Sequence, residues 1–138
     1  MGDFSAIDVS ASGLSAQRRR LDTIADNIAN AETTRTERGG PYRRRQVVFE
    51  EIASRELGQQ GGKGVKVSQV TEDARSPRLV YRPGHPDADA NGYVAMPNVS
   101  IVEEMVDMMS ATRSYEANAA ALNASKAMAR KALELGRR

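Results

Sequence analysis

One short acidic stretch has the residue types and the spacing of a cation site. Asp87, Asp89 and Asn91 alternate along the chain and are followed by Gly92, as the oxygen ligands and the turn glycine are at the start of an EF-hand calcium loop. The position that needs a bidentate Glu is occupied by Asn98. The prolines before the stretch also prevent an entering helix. We therefore expect an Asx-rich turn and no metal site, with calcium binding as the alternative.

Acid–base and covalent catalysis have few candidate groups. His85 is the only histidine, lies in a turn beside Pro86, and could pair with Asp87 as a general base. No nucleophile or oxyanion donor accompanies it. The chain has no cysteine, which excludes disulfides and thiolate metal ligands. The sequence therefore predicts no enzyme activity, no catalytic residues, no cofactor and no small-molecule substrate.

Two arginine triplets, 18–20 and 43–45, have the charge to contact phosphates. The first is followed by Asp22 and Asp26 at helical pairing distances, and no aromatic residue interleaves it for base stacking. The net charge is only +2. We therefore predict no nucleic-acid partner. We expect the first triplet to face solvent or a protein partner, and the second to pair with a neighbouring subunit or to face water.

Two long terminal helices are predicted on either side of the segment that contains most of these groups. Apolar residues make up 40% of the chain and aromatic residues only 4%, which favours helix-on-helix packing over a sandwich or a barrel. Residues 4–31 repeat apolar side chains at seven-residue steps. Residues 100–135 repeat them at four- and three-residue steps, after a capping box of Ser100 and Glu103 and before a stop at Gly136. We predict a mainly α fold whose terminal helices pair as a coiled coil.

The middle of the chain has a different composition. Residues 35–97 contain all five prolines and most of the glycines. Runs rich in β-branched residues at 46–49, 64–67 and 78–81 predict two or three short strands, and the glycine-rich run 58–64 predicts a flexible connection. We predict a small β-containing, loop-rich insert of residues 35–97 between the two parts of a helical domain, 1–34 and 98–138.

The helix seams supply the candidate contact residues. Val102, Val106 and Met109 widen the apolar stripe of the second helix beyond what one partner helix covers, so we predict assembly with copies or relatives of the chain. Asn27 and Asn30 share a helix face, where they either fix the register of an interface or are exposed or local caps. The predicted subunit-interface residues are Ile7, Leu14, Leu21, Ile24, Asn27, Ile28, Asn30, Ile101, Met105, Met108, Met109, Tyr115, Asn118, Leu122 and Leu133.

No membrane segment is expected. Nowhere is the chain apolar over the length of a membrane span, and its N-terminus lacks the basic and apolar pattern of a cleaved signal peptide. We predict a protein that does not span a membrane and has no cleaved signal.

Segments along nearly the whole chain resemble the bacterial flagellar axial proteins, the rod and hook family. The segment 21–31 (LDTIADNIANA), followed by 33–36 (TTRT), resembles the N-terminal helix motif of that family. The segments 39–44 (GGPYRR), 83–89 (PGHPDAD) and 102–108 (VEEMVDM) resemble its rod subunits. Many axial relatives have a turn of the type TPGY after the asparagine motif, whereas this chain delays its turn to Gly39.

The resemblance implies a structural subunit of the basal-body rod, which transmits motor torque. It implies export through the flagellar type III apparatus without a cleaved signal, and polymerisation in the periplasmic space. The implied partners are copies of the chain, other rod proteins, and components of the basal-body base and the export gate. The terminal helices would then form the inner layer of a helical tube, and the insert its outer part.

Overall fold

A computed structural model describes residues 2–52 and 64–137 of the 138-residue chain. The prediction of two long terminal helices around a small strand-containing insert is confirmed. The predicted flexible connection at 58–64 lies, apart from Gly64, outside the described residues. The elements are α1 (Gly2–Ala29), β1 (Arg45–Ile52), β2 (Gly64–Glu72), β3 (Arg78–Tyr81), β4 (Tyr93–Met96) and α2 (Ile101–Gly136).

The two helices pack against each other in opposite directions. Asn27, near the end of α1, bonds to Glu104 near the start of α2, while Gly13 faces Asn118 further along. At 1.5 Å per residue, the 28 residues of α1 and the 36 of α2 correspond to about 42 and 54 Å. The predicted cap of α2 is confirmed, since Ser100 Oγ accepts from the backbone N–H of the third following residue at 3.4 Å. The helix ends at Gly136, as predicted.

The insert consists of two antiparallel hairpins. Strands β1 and β2 pair from Arg45 opposite Glu72, with a bulge between Val48 and Phe49. This hairpin packs on α1. Strands β3 and β4 form a separate two-stranded sheet. The sequence predicted β1, β2 and β3 but not β4, which follows the Asx-rich turn directly.

The buried apolar core is small and lies where the helices meet the insert. Ala31, Tyr42 and Val99 form a buried cluster between the end of α1 and the start of α2. On β4, Val94 and Met96 are also buried. Helix α1 packs against both α2 and the first hairpin, while its remaining side, which includes Ala11, Arg18 and Asp22, is exposed.

Candidate assembly interface

A fully hydrogen-bonded asparagine joins α1, α2 and β1. Asn27 is 1% exposed and donates from Nδ2 to the backbone carbonyl of Arg45 at 2.8 Å and to Glu104 Oε2 at 2.9 Å. Its Oδ1 accepts from the backbone N–H of Arg45 at 2.8 Å and from the Tyr42 hydroxyl at 2.9 Å. Because both donor and both acceptor positions of the amide are used within the chain, Asn27 fixes the three elements relative to one another.

A buried ion pair lies beside this asparagine. Glu104 is 0% exposed and accepts from Arg44 Nε as well as from Asn27. Arg44 also lies 3.4 Å from Asp107 and 4.0 Å from Asp73. A buried carboxylate without a partner is strongly destabilising, so Arg44 is what allows Glu104 to be buried. Since Arg44 directly precedes β1, the pair attaches the first hairpin to α2.

The tyrosine of this cluster is held in its neutral form. Burial raises the pKa of the Tyr42 phenol, although the neighbouring Arg45 charge acts in the opposite direction. The Arg45 guanidinium lies over the ring, 5.6 Å from its centroid. A neutral phenol can donate to Asn27 Oδ1, which a phenolate could not do.

Small and polar side chains form the contact between the two helices. A Cβ atom at Gly13 would lie 2.8 Å from Asn118 Oδ1, so a side chain at this position of α1 would collide with the Asn118 side chain of α2. The buried residues of α2 are Glu104, Ala111 and Ser125, which repeat at multiples of seven. The small side chains Ala111 and Ser125, together with Gly13 on α1, allow the two backbones to approach closely without a wide apolar seam.

The large apolar side chains of α2 lie on its exposed side. Five of them, between 47% and 72% exposed, form what we call the α2 stripe: Ile101, Val102, Met105, Val106 and Met109. At 3.6 residues per turn, the stripe is centred roughly 150° around the helix from the buried residues that face α1. An apolar surface of this kind, left uncovered by its own chain, indicates contact with another protein.

The predicted interface residues fall into three groups. The buried ones are Ile24 and Asn27. The half-buried ones are Ile7, Leu14, Leu21, Ile28, Asn30, Met108, Asn118 and Leu122. The exposed ones are Ile101, Met105, Met109, Tyr115 and Leu133. Of the two asparagines, Asn30 bonds locally, donating to the carbonyl of Asp26 at 2.9 Å and accepting from Thr33. The role of the whole set in subunit contacts stays a prediction.

The arginine triplets are divided among different environments. Arg20 lies 3.7 Å from Asp107, while Arg18 and Arg19 are exposed. The second triplet was expected to meet a neighbouring subunit or water, and for Arg44 that expectation is wrong, since it pairs with Glu104. Side chains alternate along an extended segment, which explains why the central arginine turns inward.

The acidic stretch uses its oxygens within the chain. Asp87 accepts from Thr34 Oγ1 at 2.8 Å and from Arg35, and these hydrogen bonds lower the pKa of its carboxyl. Asp89 Oδ1 accepts the backbone N–H of Asn91 at 2.8 Å and of Tyr93 at 2.9 Å. These bonds are those of an Asx-rich turn.

In residues 2–52 and 64–137, no three His, Asp or Glu side chains are grouped as metal ligands. Within the same residues, no helix is long and apolar enough to span a membrane.

Sequence reasoning missed three residues that organise this region: Gly13, Arg44 and Glu104. For Glu104 a signal was present, because it lies on the opposite side of α2 from the apolar residues at 102, 106 and 109. The glycine interrupts α1 at a position where a close helix approach is the usual reason for its presence. No local feature of the sequence indicates which arginine pairs with Glu104.

Two family models match the ends of the chain. The model described as "Flagella basal body rod protein" matches residues 7–35, and the one described as "Flagellar basal body rod FlgEFG protein C-terminal" matches residues 90–135. The first match includes Asn27, and the second includes Glu104 and the α2 stripe. The matched segments therefore contain the helix contact and the exposed apolar surface.

The chain is also similar over nearly its full length to proteins named flagellar basal-body rod protein FlgC. The protein of Salmonella typhimurium is 50% identical, with 99% of each chain covered. That of Bacillus subtilis is 47% identical, covering 99% of this chain and 100% of the relative. That of Borreliella burgdorferi is 46% identical, with 98% of each covered.

Proposed function

Because this chain belongs to the FlgC family of flagellar basal-body rod proteins, we propose that it polymerises into the proximal rod and transmits motor torque. The family is structural and not enzymatic. The observation that carries the proposal is the near full-length identity of 46–50% to proteins named as rod subunits. The α2 stripe supports it, because a subunit of a polymer must expose surfaces that only its neighbours cover.

The terminal helices are proposed to form the rod core. In this arrangement, residues 1–34 and 98–138 pair as coiled coils with helices of adjacent subunits, and residues 35–97 lie on the outside. Support comes from α2, which is longer than α1 and carries its exposed apolar residues on the side away from α1. The proposed partners are copies of the chain, other rod proteins, and components of the basal-body base and export gate.

Export by the flagellar type III apparatus into the periplasmic space, without cleavage of a signal, is part of the same proposal. The two hairpins contain two strands each, and such units have little stability alone. The helix contact is made of small and polar residues, so little apolar burial opposes unfolding before export. The measurement is the intact mass of the chain isolated from basal bodies, where a shortened N-terminus would contradict export without cleavage.

A charged residue in the α2 stripe tests the assembly role. Val102 is 72% exposed, so Val102→Asp should change the stability of the lone chain by no more than about 0.5–1 kcal/mol. In an assembled rod the same carboxylate would be buried without a partner, which is strongly unfavourable. We expect loss of swimming in soft agar and absence of complete rods in electron micrographs of basal bodies.

Ala121→Asp is the matched control, since this residue is exposed on the same helix but outside the stripe. It should leave motility intact. Complete rods and normal swimming with Val102→Asp would show that the stripe is not an assembly surface. Complete rods in a strain that lacks the chain altogether would contradict the rod role itself.

A further inference from the structure

The β3–β4 hairpin has a second exposed apolar surface. Leu79 and Tyr81 lie on one face of β3 and are 66% and 63% exposed. Tyr93 lies opposite Tyr81 and packs edge-on against it, with 5.3 Å between the ring centroids. The other face of the hairpin is buried through Val94. We call Leu79, Tyr81 and Tyr93 the outer hairpin face; the chain itself leaves it uncovered.

The surroundings of the two exposed surfaces have opposite charge. Residues 99–112, which carry the α2 stripe, include no Lys or Arg and three carboxylates: Glu103, Glu104 and Asp107. Residues 74–86, which include β3, contain no Asp or Glu and three arginines: Arg75, Arg78 and Arg82. Such opposite charge favours contact between the two surfaces and sets its orientation.

Part of this charge is already paired within the chain. Glu104 is used by Arg44, Asp107 lies 3.4 Å from Arg44 and 3.7 Å from Arg20, and Arg75 lies 2.8 Å from Asp73. Within the described residues, Glu103 is therefore the one of the three carboxylates that remains for a neighbouring copy. Arg78 and Arg82, at the two ends of β3, are exposed, and neither has an ion-pair partner in the part of the chain that the structure describes. These two cations therefore remain for another molecule.

The two surfaces also match in length. The α2 stripe covers eight residue steps of a helix, or about 12 Å, and the four residues of β3 extend over about 13 Å. One hairpin can therefore lie along one stripe. Tyr side chains are favoured at the centre of protein interfaces, and methionine adapts its shape to the partner.

We propose that the α2 stripe of one copy binds the outer hairpin face of a second copy, with Glu103 of the first beside Arg78 or Arg82 of the second. Contact between two stripes would bring the Glu103 carboxylates of the two copies together, and contact between two hairpins would bring arginines together, so charge disfavours both symmetric pairings. The contact joins two different surfaces, so each added copy leaves one α2 stripe and one outer hairpin face free. The contact is therefore heterologous and supports continued growth of a polymer. It rests on the proposed function, which requires copies to assemble.

Cysteine cross-linking tests this contact directly, because the chain has no cysteine of its own. Val102→Cys and Tyr81→Cys are introduced into separately tagged full-length chains that are produced together, and isolated basal bodies are treated with a short bismaleimide. We expect a mixed-tag dimer at least several-fold more abundant than the dimer from either variant alone. Ala121→Cys, placed on α2 outside the stripe, should give no such dimer with Tyr81→Cys.

The outcomes separate this inference from the proposed function. The inference is overturned if both variants enter basal bodies but give no mixed dimer. It is also overturned if the main product is a dimer of two Val102→Cys chains. Either outcome leaves the rod role intact. Absence of the unsubstituted tagged chain from basal bodies overturns both. A charge reversal gives a second measurement: Glu103→Arg should reduce swimming, and adding Arg78→Glu with Arg82→Glu should restore it. No restoration would contradict the proposed neighbours.

Discussion

Removal of Arg44 should destabilise the fold more than any other single change in the polar cluster. Glu104 is completely buried, and its two side-chain partners are Arg44 and Asn27. Arg44→Ala leaves the carboxylate buried with a neutral amide alone, and breaking a buried ion pair in this way costs about 3–5 kcal/mol. Domains of this size have a total stability of only about 5–15 kcal/mol. The variant should therefore be close to unfolding.

The reciprocal substitution should cost much less. After Glu104→Gln, Arg44 keeps Asp107 at 3.4 Å and Asp73 at 4.0 Å. The one amide oxygen can accept from Asn27 or from Arg44, and the amide NH2 group then faces the other donor, so one of the two hydrogen bonds is lost. We expect a loss of about 1–2 kcal/mol, the usual range for a weakened hydrogen bond to a charged group. The combination Arg44→Ala with Glu104→Gln should be about 2 kcal/mol more stable than Arg44→Ala alone, since no charge is stranded.

Urea unfolding of the purified chain, followed by circular dichroism of the helices, gives these free energies. The expected order of stability is wild type, then Glu104→Gln, then the double variant, then Arg44→Ala. A double variant no more stable than Arg44→Ala would show that the stranded charge is not the cause of the loss. A loss below about 1 kcal/mol for Arg44→Ala would refute the idea that this pair attaches the first hairpin to α2.

Three further predictions concern neighbouring contacts. Gly13→Val should cost about 1–3 kcal/mol through overpacking, and Asn118→Ala in the same chain should recover part of that loss by making space, both measured as urea midpoints. Tyr42→Phe should cost about 1 kcal/mol through the lost bond to Asn27. The pKa of Asp87 is lowered in the folded chain, so its stabilising effect is present above the unfolded-state pKa of about 3.9 and is lost as pH falls through the folded-state value. Asp87→Asn should therefore reduce the decline of the urea midpoint below about pH 4.

Each of these predictions has an outcome that contradicts it. Equal midpoints for Gly13→Val with and without Asn118→Ala would show that the two side chains do not compete for the same space. An unchanged midpoint in Tyr42→Phe would mean that the phenol bond to Asn27 is compensated by solvent. Parallel acid profiles for the wild type and Asp87→Asn would contradict a stabilising role of that carboxyl.

The helices were predictable because their signals are local. A heptad repeat, the serine cap at Ser100 and the stop at Gly136 act within a few residues, and the structure has both helices close to the predicted bounds. Strand β4 was missed for the opposite reason. Its four residues, Tyr93–Met96, follow an Asx-rich turn and form a strand by pairing with β3. Such pairing depends on tertiary context more than on the composition of the segment.

The polar cluster could not be predicted because its members are far apart in sequence. Arg44 and Glu104 are separated by 60 positions, and a run of three arginines does not show which one turns inward. The apolar repeat of α2 predicted a helix seam that includes Ile101 and Met105, but both side chains are exposed in the single chain, and the buried residues of α2 are Glu104, Ala111 and Ser125. Which face of α2 meets α1 depends on Asn27 and Glu104, whose hydrogen bonds form only when α1, α2 and β1 are together.

Helix α2 thus buries Glu104 within the chain and exposes an apolar face, and the two kinds of interaction suit these different tasks. Hydrogen bonds and ion pairs are directional, and an unmade bond of a buried group is costly. Asn27 and Glu104 have their partners inside the chain, so a single copy can satisfy them without a neighbour. Burial of apolar area is non-directional and tolerates small changes in packing. The α2 stripe can therefore accept neighbours in slightly different positions, which a subunit surrounded by unlike neighbours requires.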